Sequence, residues 1–195
     1  MEFARSSGLT DMDLDDFEEY LADKPEHEKW ELIGGRVVKL MVGARWSHHR
    51  LVQNINFALT RRFTDRGSPC RTYTETFWLK ERFLRLAVFP DVIVHCGPVD
   101  RDTTSVDDPV VLVEVVSPGS VERDHIEKGG LYRRLPSLQH YVLVERDRAF
   151  VHVLHRQDER AWLSPEPIEG LDAVVQLPAL EIELPLAEIY RDVVA

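Results

Sequence analysis

Apolar and polar positions in the first third of the chain alternate between helical and extended spacing. Residues 10–22, TDMDLDDFEEYLA, predict a short acidic helix with Thr10 or Asp11 as its N-cap. Two β-rich runs flank a Gly-Gly pair in KWELIGGRVVKLM, which predicts a two-residue hairpin. In residues 47–65 the apolar side chains recur at helical spacing, so we expect a second helix that stops near Gly67.

The remaining pattern is mostly extended, with one further helical segment. CRTYTETFWLK and RLAVFPDVIVH each predict one strand, and RDTTSVDDP predicts a loop. Residues 110–116 predict a buried strand. The turn SPGS comes next, and residues 121–135 predict a helical segment. QHYVLVERD, AFVHVLHR and AWLSPE predict further strands, and the C-terminus predicts an extended piece and one helical turn. Strand, helix and strand over residues 110–144 indicate a crossover in a mixed sheet.

Composition places the chain among globular proteins of ordinary size. The 195 residues are 44% hydrophobic and 30% charged, so we expect a single domain over residues 1–195, with about the first twelve residues as a flexible tail. No apolar run approaches a membrane span of about 20 residues, and the acidic N-terminus is unlike a secretory signal. Cys70 and Cys96 are far apart and predict no disulfide framework or zinc ribbon, so we expect a reducing cytoplasm.

A glutamate in the middle of a valine-rich strand is the strongest chemical signal. Glu114 lies inside VVLVEVV, where a buried carboxylate needs a cation, a donor network or a metal as partner. Asp91 follows Pro90 at the start of another strand, and pairing of the two strands would bring both acids together. Neighbouring carboxylates repel unless a divalent cation or a shared proton intervenes, and such oxygen-rich sites suit magnesium or manganese. The pattern equally allows Asp91 to cap a turn and Glu114 to pair with an arginine.

Lys128, on the helix after the Glu114 strand, is the cation best placed to serve such a site. It shares one helix face with Asp124 and Tyr132, at spacings of four residues. The same spacing is typical of a surface ion pair between Asp124 and Lys128. Gly129 and Gly130 are costly inside a helix, so they mark either a close approach to the sheet or a helix break.

Five motifs occur together in order and spacing: WELIGGRVV, PDVIV, PVVLVEVVSPGS, RDHIEKGGLY and QHYVLVE. Over residues 17–190 the chain resembles the bacterial Uma-two family of restriction endonucleases, in the PD-(D/E)XK nuclease superfamily. The resemblance implies an α/β restriction-endonuclease-like core. In it a mixed central β-sheet is flanked by helices and accompanied by an N-terminal helix and a β-hairpin.

The resemblance also implies a site. Asp91 and Glu114 match the superfamily's two metal-binding acids, and the backbone carbonyl of Val115 would be a further ligand. The superfamily's lysine usually stands two residues after the second acid, where this chain has Val116. The resemblance implies that Lys128 takes its place.

Other residues receive weaker assignments. Glu31 matches a family position and is either a second acid at the site's edge or a solvent-facing hairpin residue. Tyr132 is expected to hold the lysine helix against the sheet. His48 is expected to be a cap or a packed residue, and Glu75 is a weaker candidate. The four tryptophans are expected in the core or at an interface. His152 and His155 lie on an apparent edge strand and are expected at the surface.

The function expected from the resemblance is a Mg²⁺- or Mn²⁺-dependent endonuclease that hydrolyses phosphodiester bonds of DNA. The formal net charge of −10 argues against coating nucleic acid by bulk electrostatics. Contacts with DNA would then be made by a local patch of arginines. The candidates are Arg61, Arg62, Arg133 and Arg134. By superfamily analogy we expect a homodimer. The alternatives are a catalytically inactive nuclease fold used for binding or dimerisation, and a hydrolase of smaller phosphoesters.

Overall fold

The computed structural model describes residues 5–6, 11–40, 43, 45–117 and 124–194. Four α-helices lie in this part of the chain, α1 (Leu14–Ala22), α2 (Trp46–Asp65), α3 (Asp124–Tyr132) and α4 (Leu186–Ile189), together with a short 3-10 helix over Pro178–Leu180. The strands up to the central crossover are β1 (Arg5–Ser6), β2 (Lys29–Ile33), β3 (Arg36–Leu40), β4 (Arg71–Thr74), β5 (Trp78–Glu81), β6 (Leu86–Val88), β7 (Val92–His95), β8 (Ser105–Val106) and β9 (Val111–Val116). The later strands are β10 (His140–Glu145), β11 (Phe150–Arg156), β12 (Trp162–Leu163), β13 (Ile168–Glu169), β14 (Val174–Leu177) and β15 (Ile182–Pro185).

Two large sheets and one small sheet form the scaffold. The central sheet has the order β12-β11-β10-β9-β7-β4, with β13 beside β11. In it β9 and β10 run parallel and are joined through α3, while β7 is antiparallel to β9. The predicted crossover and mixed sheet are therefore confirmed. The second sheet has the order β1-β3-β2-β6-β5-β8, and β14 pairs with β15.

The N-terminal helix and hairpin follow from local chemistry. Helix α1 begins at Leu14 because the side chain of Asp13 caps it, accepting a 2.9 Å hydrogen bond from the amide of Asp16. The predicted cap was therefore wrong at Asp11, and Thr10 lies outside the described residues. In the hairpin both glycines adopt positive φ, which the tight two-residue turn between β2 and β3 requires. Most of the expected tail also lies outside the described residues, but β1 pairs with β3.

Two of the predicted single strands are broken in the structure, and each half joins a different sheet. CRTYTETFWLK divides into β4 and β5 at a turn where Glu75 adopts a positive φ of 37°. RLAVFPDVIVH divides into β6 and β7 at Pro90, which has no amide proton for a strand ladder. The loop expected over residues 101–109 contains the short strand β8. Each break therefore places an acid, Glu75 or Asp91, in a connection between the two large sheets.

The core fills both faces of the central sheet. Every residue of β9 is buried, as its valine-rich sequence predicts. Side chains alternate along the strand, so Val113 faces α2 and the C-terminal elements while Leu112 faces α3. A third cluster forms where Phe17 of α1 packs against the second sheet. Because Glu114 shares its face with Leu112, its carboxylate is directed to the α3 side.

Cys70 and Cys96 form a disulfide bond, which could not be predicted from the sequence. Strand β4 pairs with β7 so that Arg71 faces His95, and the next position along this ladder places the two cysteines opposite each other. Their separation of 26 residues hides this proximity in the sequence. The bond ties the strand that leads to Glu75 to the strand that begins after Asp91.

The expectation about membranes can be compared with the helices themselves. Within the described ranges, no helix combines the length and apolar character needed to cross a bilayer.

Candidate active site

Glu31 and Lys128 form a buried ion pair between β2 and α3. Glu31 is 1% exposed, so the solvent-facing alternative is wrong. The Nζ atom of Lys128 lies 2.9 Å from Oε1 and 2.8 Å from Oε2 of Glu31. The amide of Phe89 also donates a 2.9 Å hydrogen bond to Glu31 Oε1. The surface-pair alternative for Lys128 is equally wrong, because this lysine is buried and its partner comes from another sheet.

Glu114 is buried beside this pair and keeps a proton unusually well. Its Oε1 atom accepts a 2.9 Å hydrogen bond from the hydroxyl of Tyr132. Burial raises the pKa of Glu114 to about 8, since the opposing charge of Lys128 is partly cancelled by the negative charges of Asp91 and Glu31. Among the described residues no arginine pairs with Glu114. The hydrogen-bond donor to this buried glutamate is therefore Tyr132, and Lys128 adds an opposing charge without a hydrogen bond to it.

Asp91 stands directly across the sheet from Glu114. Val92 of β7 pairs with Val113 of β9, so one further step along the antiparallel ladder places Asp91 opposite Glu114. Side chains in such facing positions point to the same side and have Cβ atoms about 4.5–5.5 Å apart. Asp91 Oδ2 accepts a 2.7 Å hydrogen bond from the amide of Val115, which is a cross-strand contact and no turn cap. The two acids are thus brought together.

A second group of possible metal-ligand atoms, from His48 of α2 and from Glu75, lies close to Asp91. Nε2 of His48 lies 3.1 Å from Asp91 Oδ1, and donor atoms of His48, Glu75 and Asp91 all lie within 4.8 Å of one another. Burial lowers the pKa of His48, but the hydrogen bond to Asp91 and the charges of Asp91, Glu75 and Glu114 outweigh it and raise the pKa overall. Asp91 is therefore common to two donor groups, one with Glu114 and one with His48 and Glu75.

His48 was expected to be a cap or a packed residue, and its position on α2 indicates the packed one. The N-cap of α2 is Arg45, without a side-chain cap hydrogen bond, so the capping role expected of His48 is wrong. Leu51, Val52 and Ile55 lie on the buried face of α2. Helical spacing of three, four and seven residues places His48 on that same face, one turn nearer the Asp91 strand. Glu75 gave no comparable signal, because its position depends on the break between β4 and β5.

The glycine pair of α3 explains how Lys128 reaches the sheet. Both glycines lie within the helix, so the helix-break alternative is wrong. A Cβ atom on Gly129 would lie 3.0 Å from Cε1 of Tyr141, whereas one on Gly130 would meet nothing within 4 Å. Gly129 therefore marks a close approach of α3 to β10, and this approach carries Lys128 and Tyr132 inward. The side chain of Asp124 lies outside the described residues.

We expect opposite effects from two neighbouring substitutions in α3. Gly130→Ala should stabilise the protein by about 0.5–1 kcal/mol, because alanine favours the helix and finds open space. Gly129→Ala should destabilise it by about 1 kcal/mol or more, because the added methyl presses on the buried Tyr141 ring. Urea unfolding of both variants measures the difference. Equal stabilisation by the two alanines would contradict the close approach.

The arginines proposed for nucleic-acid contact are mostly engaged with the protein. Arg62 forms two hydrogen bonds with Glu188, at 2.9 and 3.0 Å. Arg61 lies 3.6 Å from Asp65 in a surface pair, and Arg133 donates to the carbonyl of Gly129.

The two histidines expected on the surface are half-buried and pair within the protein, His152 with Ser164 and His155 with His140.

Comparison with known proteins gives concordant findings. A family model described as "Uma2: Putative restriction endonuclease" matches residues 14–187. The Synechocystis proteins sll1609 and slr1290 are 28% and 29% identical over 168 and 148 residues, covering 84% and 75% of this chain and 93% and 76% of theirs. An Anabaena variabilis crystal structure described as "a putative nuclease belonging to DUF820" matches with a TM-score of 0.70 at 17% identity, covering 92% of this chain and 97% of that one. The chain therefore has the expected restriction-endonuclease-like α/β fold.

Proposed function

Because the chain belongs to the Uma2 family, we propose that it is a divalent-metal-dependent endonuclease that hydrolyses phosphodiester bonds of DNA. The nuclease class rests on the family and on the fold shared with a nuclease. One observation carries the catalytic part of the proposal: Asp91, directly before β7, and the buried ammonium of Lys128 both lie close enough to Glu114 of β9 to act on it by their charges.

The donor set fits a divalent cation. Glu114 retains its proton to about pH 8 because burial and the charges of Asp91 and Glu31 all oppose its ionisation. A group of carboxylates with this excess of negative charge is stabilised by a cation, and oxygen donors are those preferred by Mg²⁺ and Mn²⁺. Asp91, Glu114 and the carbonyl of Val115 would hold the ion. When bound, it supplies positive charge at the phosphate and lowers the pKa of a water molecule.

Lys128 acts in this proposal as a fixed cation. Burial lowers its pKa, but the charges of Glu31 and Glu114 outweigh that effect and raise the pKa above its ordinary value. The side chain therefore stays protonated at neutral pH and cannot serve as a general base. Its positive charge can instead offset the negative charge that develops on the phosphate in the transition state.

The remaining groups hold this arrangement in place. Tyr132 donates its hydroxyl proton to Glu114, and burial raises its pKa well above the ordinary value, so it is a neutral donor and no nucleophile. Glu31 fixes the ammonium of Lys128 from the opposite sheet. His48 contacts one oxygen of Asp91 while the amide of Val115 binds the other, so the carboxylate is oriented from two sides.

A plasmid-nicking assay in Mg²⁺ or Mn²⁺ tests the proposal. Asp91→Asn and Glu114→Gln should each reduce the cleavage rate by about a hundredfold or more, since each removes a carboxylate that would hold the metal ion at the reacting phosphate. Asp65→Asn, a change at an exposed acid on α2, is the matched control and should cleave at the wild-type rate.

Two outcomes would overturn the endonuclease proposal. Equal nicking by all four proteins would identify a contaminating nuclease. Absence of nicking together with absence of Mn²⁺ binding by calorimetry would favour the catalytically inactive binding module. The homodimer is part of the proposal because cutting two strands needs two sites, and sedimentation analysis tests it separately.

A further inference from the structure

A cavity with aromatic walls adjoins the candidate active site. It has a volume of about 400 Å³ and lies between the segment that follows α1 and the turn that joins β4 to β5. Its walls include the rings of Trp30, Trp78 and Phe89, each of which is half-buried. This volume falls within the range of about 300–1,000 Å³ that is typical of small-ligand sites.

The aromatic walls are held in fixed orientations. The rings of Trp78 and Phe89 lie against each other, with centroids 3.7 Å apart. Trp30 meets Tyr20 edge to face at 5.5 Å, and its Nε1 atom donates a 3.0 Å hydrogen bond to Glu28. Rings restrained in this way offer a preformed apolar surface, so a flat ligand would lose little free energy in ordering them.

Two lysines give the cavity a positive side. In the described part of the chain, neither Lys24 nor Lys29 forms an ion pair with a carboxylate, and both line the cavity. Glu26 and Glu28 line it as well, so the positive charge is confined to the lysine side; Glu28 is bonded to Lys39, which offsets its charge. A ligand that combines a flat ring with negative charge matches this combination of surfaces.

The cavity is connected to the active site through two direct contacts. The Nζ atom of Lys29 donates a 3.0 Å hydrogen bond to the carbonyl of Glu75, which belongs to the donor group around Asp91. Phe89, whose ring lines the cavity, donates its amide proton to Glu31 of the buried ion pair. A ligand in the cavity would therefore contact residues that are bonded directly to residues of the candidate active site.

We propose that this cavity binds an unpaired nucleobase of the DNA strand whose phosphodiester bond is cleaved. The inference rests on the proposed endonuclease function and specifies its substrate as a strand with at least one unpaired base near the cut. The base would stack on the aromatic rings while the lysines contact the flanking phosphates. Stacking on aromatic side chains accepts any base, and cations beside a base add to it.

Binding measured without metal tests the cavity separately from cleavage. Trp46 and Trp162 are replaced by phenylalanine, which leaves Trp30 and Trp78 of the four tryptophans as reporters. A short oligothymidylate in EDTA should quench their fluorescence. An abasic strand of equal length and a duplex should each bind about tenfold more weakly, as expected for the loss of one stacked base.

Two variants in this background identify the surface that binds. Phe89→Leu should weaken oligothymidylate binding about tenfold, whereas Phe83→Leu, at a 91% exposed ring outside the cavity, should leave it unchanged. Equal affinity for the abasic strand, or unchanged binding by Phe89→Leu, would overturn the proposal. Quenching by thymidine monophosphate alone, without binding of the oligonucleotide, would assign the cavity to a free nucleotide and would overturn it as well.

The two proposals fail in different ways. Base-dependent binding by a protein that never nicks DNA would leave the cavity assignment intact and remove the endonuclease. Metal-dependent nicking by a protein that binds the abasic strand equally well would keep the endonuclease proposal and remove the cavity assignment.

Discussion

Replacing Lys128 by methionine is expected to lower the free energy of unfolding by about 3–5 kcal/mol. The lysine is 8% exposed and bonded to Glu31, which is 1% exposed. Its removal leaves the buried Glu31 carboxylate without its cation, and no other cation forms an ion pair with Glu31 among the described residues. Chemical denaturation of the metal-free protein at neutral pH measures the loss.

The double variant Glu31→Gln/Lys128→Met separates structure from catalysis. It removes both charges while keeping similar shapes, and the glutamine oxygen can still accept the amide proton of Phe89. Its stability should therefore return to within about 1 kcal/mol of wild type. DNA cleavage should not return, because the proposed cation at the phosphate is missing. A stable double variant that cleaves DNA at the wild-type rate would show that Lys128 serves the fold alone.

Glu114→Gln is expected to stabilise the metal-free protein at alkaline pH while it abolishes cleavage. The folded protein retains the Glu114 proton to about pH 8, whereas the unfolded chain releases it near the ordinary pKa of about 4.5. The folded state therefore binds more protons between these values, and its stability falls as pH rises through that window. Glutamine cannot ionise, and its oxygen can still accept the hydroxyl proton of Tyr132.

The measurement is the difference in melting temperature between Glu114→Gln and wild type, taken from pH 5 to pH 9 in EDTA. The difference should be small at the acid end and should increase in favour of the variant until the pH passes about 8. Excess Mn²⁺ should reverse the order by stabilising wild type alone, since a ligand that binds only the folded state raises its stability. A constant difference across the pH range would contradict the raised pKa of Glu114.

Periodicity predicted the elements best where the local sequence determines them. The α2 helix, the hairpin at the glycine pair and the crossover through α3 all depend on spacing within one segment, and all were confirmed. The strand breaks at Glu75 and Pro90 depend on which sheet each half joins, which is a tertiary choice. The disulfide escaped prediction for the same reason, because β4 and β7 pair over a long separation.

The same distinction between local and tertiary determinants applies to the residues of the candidate site. Glu114 could be recognised because a carboxylate among valines needs a buried partner. Strand pairing then indicated Asp91, the following helix indicated Lys128, and the resemblance implied a role for both. The pattern could not reveal that Lys128 of α3 is paired with Glu31 of β2 in the second sheet. Nor could it reveal that Asp91 is shared with His48, since that contact requires α2 to pack beside the start of β7. The catalytic roles of these residues stay predictions until the variants are measured.

The chain passes from one sheet to the other through three residues, Phe89, Pro90 and Asp91. The proline ring fixes its own φ near −65°, so this short connection is stiff. A molecule that pushed the Phe89 ring aside would also shift the carboxylate two residues later and loosen its bonds to Val115 and His48. If the proposed endonuclease activity is confirmed, small aromatic compounds bound at Phe89 are expected to inhibit it without binding the proposed metal, which offers a starting point for inhibitors that do not act by chelation.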